Sequence, residues 1–401
     1  MGAKHAERHR SMSATQRRDW TSGELSASLA VGTIAVLIIG AQPIFLGAIL
    51  EAKQVTLEGV GIVAMGEIVA VGLGVVLGDM VLPGTRLRLI TIVAALLAAA
   101  FDLLTQHASG DGALLAVRVA AGLAEGVLVW GATGVIVRCA NPARVAGIFF
   151  VLQTIAQAAL GLLLAQFVIP HWGWQGAFAT LAGLSLLPCV LAWLQPAGLA
   201  PLAPPAVSGF RWSPATVLPL LIIFLQLATL GSFWAYMEPL GLAAGFDAQA
   251  AQTLIAGVLA MQVVGGTVGS LAVRRLRVVP ALVAASLVLA GATAAVHELA
   301  PGSSMPFALA CAVFGFSWLF MMPYHVGLAF SADPSGRLAG LVPAAQLLGS
   351  AFGPLVASFM VEGENAGPVP LLSAGFALAA AALILLTRRR LHASPSLKGV
   401  Q

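Results

Sequence analysis

The sequence predicts an all-α polytopic membrane protein with twelve transmembrane helices in two six-helix bundles. Three observations carry that expectation: the composition, the spacing of apolar runs, and an internal repeat. Of the 401 residues, 59% are apolar and only 9% charged, and the mean hydropathy is +0.95. Soluble domains carry roughly 45–50% apolar and about 25% charged residues. The apolar fraction amounts to about 237 residues, close to twelve spans of ~20 residues, the length that crosses ~30 Å of hydrocarbon. Gly (44) and Pro (22) are plentiful, as transmembrane helices tolerate. Disordered, collagenous, coiled-coil and disulfide-framework classes are excluded. The cysteines Cys139, Cys189 and Cys311 show no CxxC spacing, so neither a disulfide framework nor a metal site is expected.

Apolar runs bounded by polar residues or Gly/Pro breaks place the helices at about 25–49, 57–79, 87–106, 113–137, 144–169, 174–194, 215–239, 249–273, 278–297, 305–328, 338–361 and 368–387. Residues 1–24, with Lys4, Arg8, Arg10, Arg17 and Arg18, lack a convincing cleavage site and read as an uncleaved cytoplasmic tail. The first bundle then spans 25–194 and the second 215–387. Between them lies a Pro-, Ala- and Gly-rich cytoplasmic linker at 195–214, and residues 388–401 form a cytoplasmic C-terminal tail. With both ends inside, 18 of the 20 basic residues fall on cytoplasmic segments. Only Lys53 is outside, and only Arg118 lies within a span. Lys and Arg accumulate in cytoplasmic loops, so the basic balance is a topology signal and no nucleic-acid partner is expected.

The halves repeat. Gly66, Ala70, Gly74 and Gly78 in helix 2 recur as Gly257, Met261, Gly265 and Gly269 in helix 8, 191 positions on. The helix 5 segment 159–167 recurs at 351–359 in helix 11, with five of nine residues identical, and Arg86-Leu-Arg88 recurs as Arg275-Leu-Arg277. A small residue every fourth position lets two helix backbones approach closely.

At this point the chain resembles the major facilitator superfamily along nearly its whole length. Leu114-Leu-Ala-Val-Arg118-Val-Ala-Ala-Gly122 looks like the family's helix 4 motif. Gly78-Asp79 through Arg86 and Arg88 looks like a stretched form of its loop between helices 2 and 3, and Trp172-Gly-Trp174-Gln-Gly-Ala-Phe178 resembles the segment entering helix 6. The Gly-Pro pair of the family's drug/proton antiporters is absent from helix 5, where Leu162 follows Gly161, although Gly353-Pro354 occurs in helix 11. The resemblance implies that helices 2, 5, 8 and 11 form the contact between bundles. Helices 1, 4, 7 and 10 would line a central cavity, and helices 3, 6, 9 and 12 would lie outside.

Ionisable groups within spans are costly and therefore candidate functional residues. Arg118 and Glu125 share one face of helix 4, which the resemblance turns toward the cavity. There Arg118 would hold an anionic solute group or a carboxylate, and Glu125 would exchange protons; a water-bridged structural pair is the competing reading. Glu67 in helix 2 is a second proton site or a carboxyl bonded across the bundle interface. Glu238, after Trp234 and Tyr236 in helix 7, is a cavity-gate carboxylate that takes part in proton coupling or a snorkelling one, and Asp102 near the outer end of helix 3 is expected to snorkel to the surface. Helix 10 aligns Phe314, Trp318, Met321 and His325 on one face, a wall suited to an amphipathic organic solute or to ordinary packing. Gln42, Gln226, Gln153 and Gln157 add hydrogen-bonding groups for orienting a solute. Asp79, Arg86 and Arg88 form either a cytoplasmic charge-pair latch or a solvated turn.

The resemblance implies a secondary transporter in the cell (inner) membrane that moves a small, aromatic or weakly acidic organic solute with protons by alternating access. An uncoupled facilitator, a drug or metabolite efflux pump and a transport-dead receptor are the alternatives. No HExxH, GxSxG or phosphate loop occurs, so no enzyme activity, cofactor or ATP is expected. The expected partners are the lipid bilayer, protons and the solute, with the chain a monomer.

Overall fold

The computed structural model describes residues 20–200, 213–333 and 338–391. The N-terminal tail up to 19, most of the linker, Arg337 and the end of the C-terminal tail lie outside the described residues. The spans are α1 (Ser22–Ala35 and Leu37–Glu51), α2 (Leu57–Val81), α3 (Leu87–Thr105) and α4 (Asp111–Ile136). Next come α5 (Pro142–Leu163, continuing through a π-helical Leu164–Val168 to 172) and α6 (174–191). The second half holds α7 (Pro214–Ala235 and Met237–Ala243), α8 (Ala248–Ala272), α9 (Val278–His297), α10 (Ser304–Ala332), α11 (Val342–Ser358) and α12 (Val369–Leu391). Two faces result. The tail face carries the N-terminal approach and the connections near 82–86, 137–141, 192–200 and 273–277. The far face carries those near 52–56, 106–110, 173, 244–247, 298–303 and 359–368.

The boundary between α5 and α6 depends on one residue. Residues 144–191 run as one helical stretch of 48 residues, and a straight helix of that length would cross a bilayer about twice. Gly173 breaks it at φ 63°, ψ −165°, a backbone region that side chains disfavour. The chain folds back there: a Cβ on Gly176 would touch Val168 at 3.4 Å, residues that a straight helix holds about 12 Å apart.

Two other spans are interrupted where the sequence reading expects continuous helices. In α7 the break falls at Tyr236, which takes φ −106°, ψ 12°. Pro239 causes it, since its ring collides with the carbonyl four residues back, that of Ala235. In α1 the break falls at Val36, whose carbonyl accepts a 2.7 Å bond from Gln157 Nε2 of α5. The amide enters over Gly40, where a Cβ would sit 2.1 Å from Gln157 Cδ. Gln157 is thus a cap on a broken helix.

The small-residue stripes serve a different contact from the expected one. Gly66, Gly74 and Gly78 face Leu115, Leu123 and Trp130 of α4, and Gly265 and Gly269 face the Phe316 and Phe320 backbone of α10. Both stripes therefore join helices inside a bundle. Between bundles, α2 lies along α11 and α5 along α8, through Gly61 against Pro354, Gly72 against Leu347, and Gln166 Nε2 donating to Thr253 Oγ1 at 2.6 Å. The α2–α4 approach leaves no room for a side chain. A Cβ on Gly126 would lie 2.2 Å from the Val71 carbonyl oxygen and 2.8 Å from Gly74 Cα. Gly126→Ala is expected to cost about 1–3 kcal/mol by overpacking, read as a lower unfolding temperature in detergent. Gly291→Ala, with nothing within 4 Å of the added carbon, should leave that temperature unchanged.

Candidate functional site

The N-terminal bundle encloses a cluster built around Arg118. The guanidinium donates from Nε to Glu67 Oε1 at 2.7 Å and from Nη1 to Asp102 Oδ1 at 2.7 Å. Nη2 also reaches Glu67 Oε1 in a very short contact, and approaches Glu125 Oε1 at 3.4 Å. Gln42 of α1 donates to Glu67 Oε2 at 2.9 Å, and Ser185 of α6 donates to Asp102 Oδ2 at 2.9 Å. The Phe178 ring lies 5.5 Å from the Arg118 guanidinium carbon. All four charged side chains are buried, at 0–3% exposure. Five helices, α1 to α4 and α6, meet here.

This geometry revises several expectations. Asp102 does not snorkel: it is fully buried because Arg118 reaches it across α3 and α4. Glu67 is bonded within its own bundle rather than across the interface. Arg118 points into the bundle and is held by carboxylates, so of its two expected partners the structure supplies the carboxylate and leaves no donor aimed at a solute anion. Glu125 is the loosest member, and its Oε2 is buried with no hydrogen-bond partner. Three carboxyls face one guanidinium, so full ionisation would leave a net charge of −2 sealed from water, an arrangement that low dielectric strongly opposes.

The second bundle holds an uncharged counterpart. Gln226 Nε2 donates to Ser286 Oγ at 2.8 Å, and its Oε1 lies 2.9 Å from His325 Nε2. Gln346 Nε2 lies 3.1 Å from both Met322 Sδ and His325 Nδ1. An amide oxygen only accepts and an amide nitrogen only donates, so His325 is the neutral Nε2–H tautomer. Beside this string stands an aromatic wall. Trp234 and Trp318 meet edge to face at 5.4 Å, Phe314 and Trp318 at 5.9 Å, and Phe233 and Phe314 at 4.9 Å. Met321 is buried, Trp318, Met322 and Gln346 are half-buried, and the buried Trp234 Nε1 has no acceptor. Tyr236 packs against Gly61 of α2. Gln346 and Met322 belong to this group, although sequence reading missed them; Gln346 shares α11 with the repeat segment and carries no other signal.

On the tail face no ion pair joins Asp79 to Arg86 or Arg88 among the described residues. Arg88 Nε instead donates to the Gln195 carbonyl at 2.8 Å, and Arg138 Nε to that of Ala200 at 2.7 Å. Partial burial pulls the Arg138 guanidinium below its usual range, and the nearby Asp79 carboxylate opposes the shift. The start of the linker is therefore strapped to the first bundle, with Leu199 buried against Leu87, Trp130 and Val135.

No family model and no curated protein matches the chain. Solved structures do. A bacterial homolog of the human lysosomal transporter Spinster, inward-facing and occupied, superposes with a TM-score of 0.70 at 14% identity, over 93% of this chain and 98% of its own. The nucleoside transporter NupG superposes at 0.69 and 13% identity, over 92% and 100%. The likeness extends over both bundles, and the chain has the major facilitator fold.

Removing the central cation would strand three buried carboxyls, and breaking a buried pair costs about 3–5 kcal/mol. Arg118→Ala is expected to lower the unfolding temperature far more than Arg86→Ala on the exposed tail face, with both measured in detergent.

Proposed function

We propose that this chain is a proton-coupled secondary transporter of a small, uncharged aromatic solute, with the Arg118 cluster holding the proton and the α7/α10 wall holding the solute. The observation that carries the coupling is the surplus of carboxyls around Arg118, with Glu125 bound most loosely. A sealed cluster with that charge retains protons, and the carboxyl with an unpartnered oxygen is the one that exchanges them when the bundle rocks. Glu67 and Asp102, each bonded twice over, hold Arg118 in place.

The wall supports the solute class. Trp234, Trp318, Phe314 and Met321 offer a flat, polarisable surface. The Trp234 indole N–H lacks an acceptor, which a carbonyl or ring nitrogen of the solute would supply, and no charged side chain joins the neutral Gln226–His325–Gln346 string. The fold is that of a nucleoside transporter and of a Spinster homolog, so nucleosides are the first solutes to try. The contacts between bundles at Gln166–Thr253, Gly61–Pro354 and Gly47–Glu238 lie toward the far face, which supports access from the tail face. The tail face carries Arg86, Arg88, Arg138, Arg144, Arg274, Arg275 and Arg277, the signature of a cytoplasmic side, so a multi-pass protein of the cell membrane with both termini inside is the matching topology. Lipid and protons are its partners; it works as a monomer without ATP or nucleic acid.

One observation favours a second reading. Every donor of Arg118 is satisfied inside the bundle, as in a purely structural pin, and the protein would then be an uncoupled facilitator. Flux into proteoliposomes under an imposed pH gradient decides between them. Glu125→Gln is expected to reduce gradient-driven accumulation of radiolabelled nucleoside at least tenfold while solute exchange persists. Exchange without any gradient-driven accumulation by the unaltered protein would establish the facilitator, and accumulation by Glu125→Gln equal to wild type would take the proton role away from Glu125. Trp234→Phe removes one hydrogen bond, worth about 1 kcal/mol, and is expected to raise KM about fivefold with little change in maximal rate.

A further inference from the structure

We propose that Glu238 is a second proton-binding group, separate from the Arg118 cluster, that latches the far face shut between the two bundles. Glu238 opens the short second segment of α7, just past the break that Pro239 imposes. Its Oε1 accepts a 3.0 Å bond from Gln252 Nε2 of α8 in its own bundle. Its other oxygen lies against α1 of the opposite bundle, where a Cβ on Gly47 would overlap Oε2 and the carboxyl carbon. The side chain is 1% exposed, and Oε2 has no partner. The carboxyl therefore occupies the seam that must part if the far face opens.

The groups around it determine its charge. Across the seam α1 presents Glu51, a second acid. From α8 comes the neutral Gln252, from α10 Phe307 against Gly241, and from α2 Gly61, with Glu58 near the Tyr236 hydroxyl. Among the described residues no Lys, Arg or His nitrogen lies within 4.0 Å of this carboxyl. A carboxylate sealed there would be an uncompensated charge beside another acid, whereas the protonated acid carries no charge into the seam. Opening separates Gly47 from Glu238 and admits water, and the acid then gives its proton to the far side. A cavity of about 380 Å³ lined by Glu51, Gln249, Trp174 and Gln252, the residue that bonds Glu238, lies on the far side and offers the path. Acid thus holds the far face closed, and rising pH releases it.

The proposal rests on the transporter reading only in that the far face opens; its test needs no solute. Nitroxide labels at Lys53→Cys and Glu298→Cys, both exposed, report the distance across the far face by pulsed electron resonance in lipid nanodiscs, with Cys139, Cys189 and Cys311 replaced by Ser. Between about pH 5 and pH 9 the otherwise native protein is expected to shift from the short to the long distance, by at most about tenfold in population ratio per pH unit for one proton. Glu238→Gln, which keeps the shape and the Gln252 contact without an ionisable proton, is expected to stay short throughout. Gly47→Ala evicts the carboxyl from the seam and is expected to show the long distance even in acid, so the test survives if the first variant does not fold. An unchanged pH response in Glu238→Gln overturns the proposal. So does a response that vanishes in Glu125→Gln but persists in Glu238→Gln, which would assign the proton to the first bundle. Absent solute flux beside an intact, Glu238-dependent distance change would sink the transporter reading and leave the latch standing.

Discussion

The first bundle is organised by a buried guanidinium that has to be neutralised where water cannot help. Arg118 lies inside a membrane-spanning bundle, so its charge must be met by carboxylates or the helix cannot pack. Glu67 and Asp102 meet it, and Gln42 and Ser185 bond the carboxylate oxygens that Arg118 leaves free. That requirement fixes the rotation of α2, α3 and α4 about their axes and brings α1 and α6 inward. The glycine contacts of α2 with α4 allow it, because Arg118 reaches Glu67 only when the two backbones nearly touch.

The two halves have diverged in chemistry more than in shape. At the 191-residue offset of the repeat, Glu67 corresponds to Val258 and Asp102 to Thr293, and Thr293 bonds only its own helix. Around His325 the second bundle has no buried cation to neutralise, and its polar groups there form a neutral string that fixes one histidine tautomer. The charged cluster of the first bundle thus faces, in the second, a neutral string beside an aromatic wall. The repeat supplies the common scaffold, and the substitutions change the chemistry inside each bundle.

Breaks in the helices connect these cores to the seam between the bundles. The interruption of α7 at Tyr236 turns Glu238 into the seam between bundles, and the interruption of α1 at Val36 is stabilised by Gln157 of α5. Both broken spans lie at the contact between the bundles, and most residues of their far halves are buried. A discontinuous helix can pivot without losing the hydrogen bonds of either half.

Much of this was legible in the sequence. Hydropathy and length set the number of spans, since a bilayer demands about 20 apolar residues per helix. The repeat gave the two bundles, and the scarcity of charge within spans singled out Arg118, Glu125, Glu67 and Glu238. Only the tertiary structure decided partners and directions. Asp102 reads as a surface acid from its place near a helix end, yet a long arginine side chain from the next helix captures it. The stripes at Gly66–Gly78 and Gly257–Gly269 announce close approach but not to which neighbour. Gln157 and Gln346 carry no local signal at all, because an amide is defined by what it bonds. Periodicity and polarity are properties of the chain itself; which carboxylate faces which cation depends on helix rotation, and that is settled only when all the helices pack together.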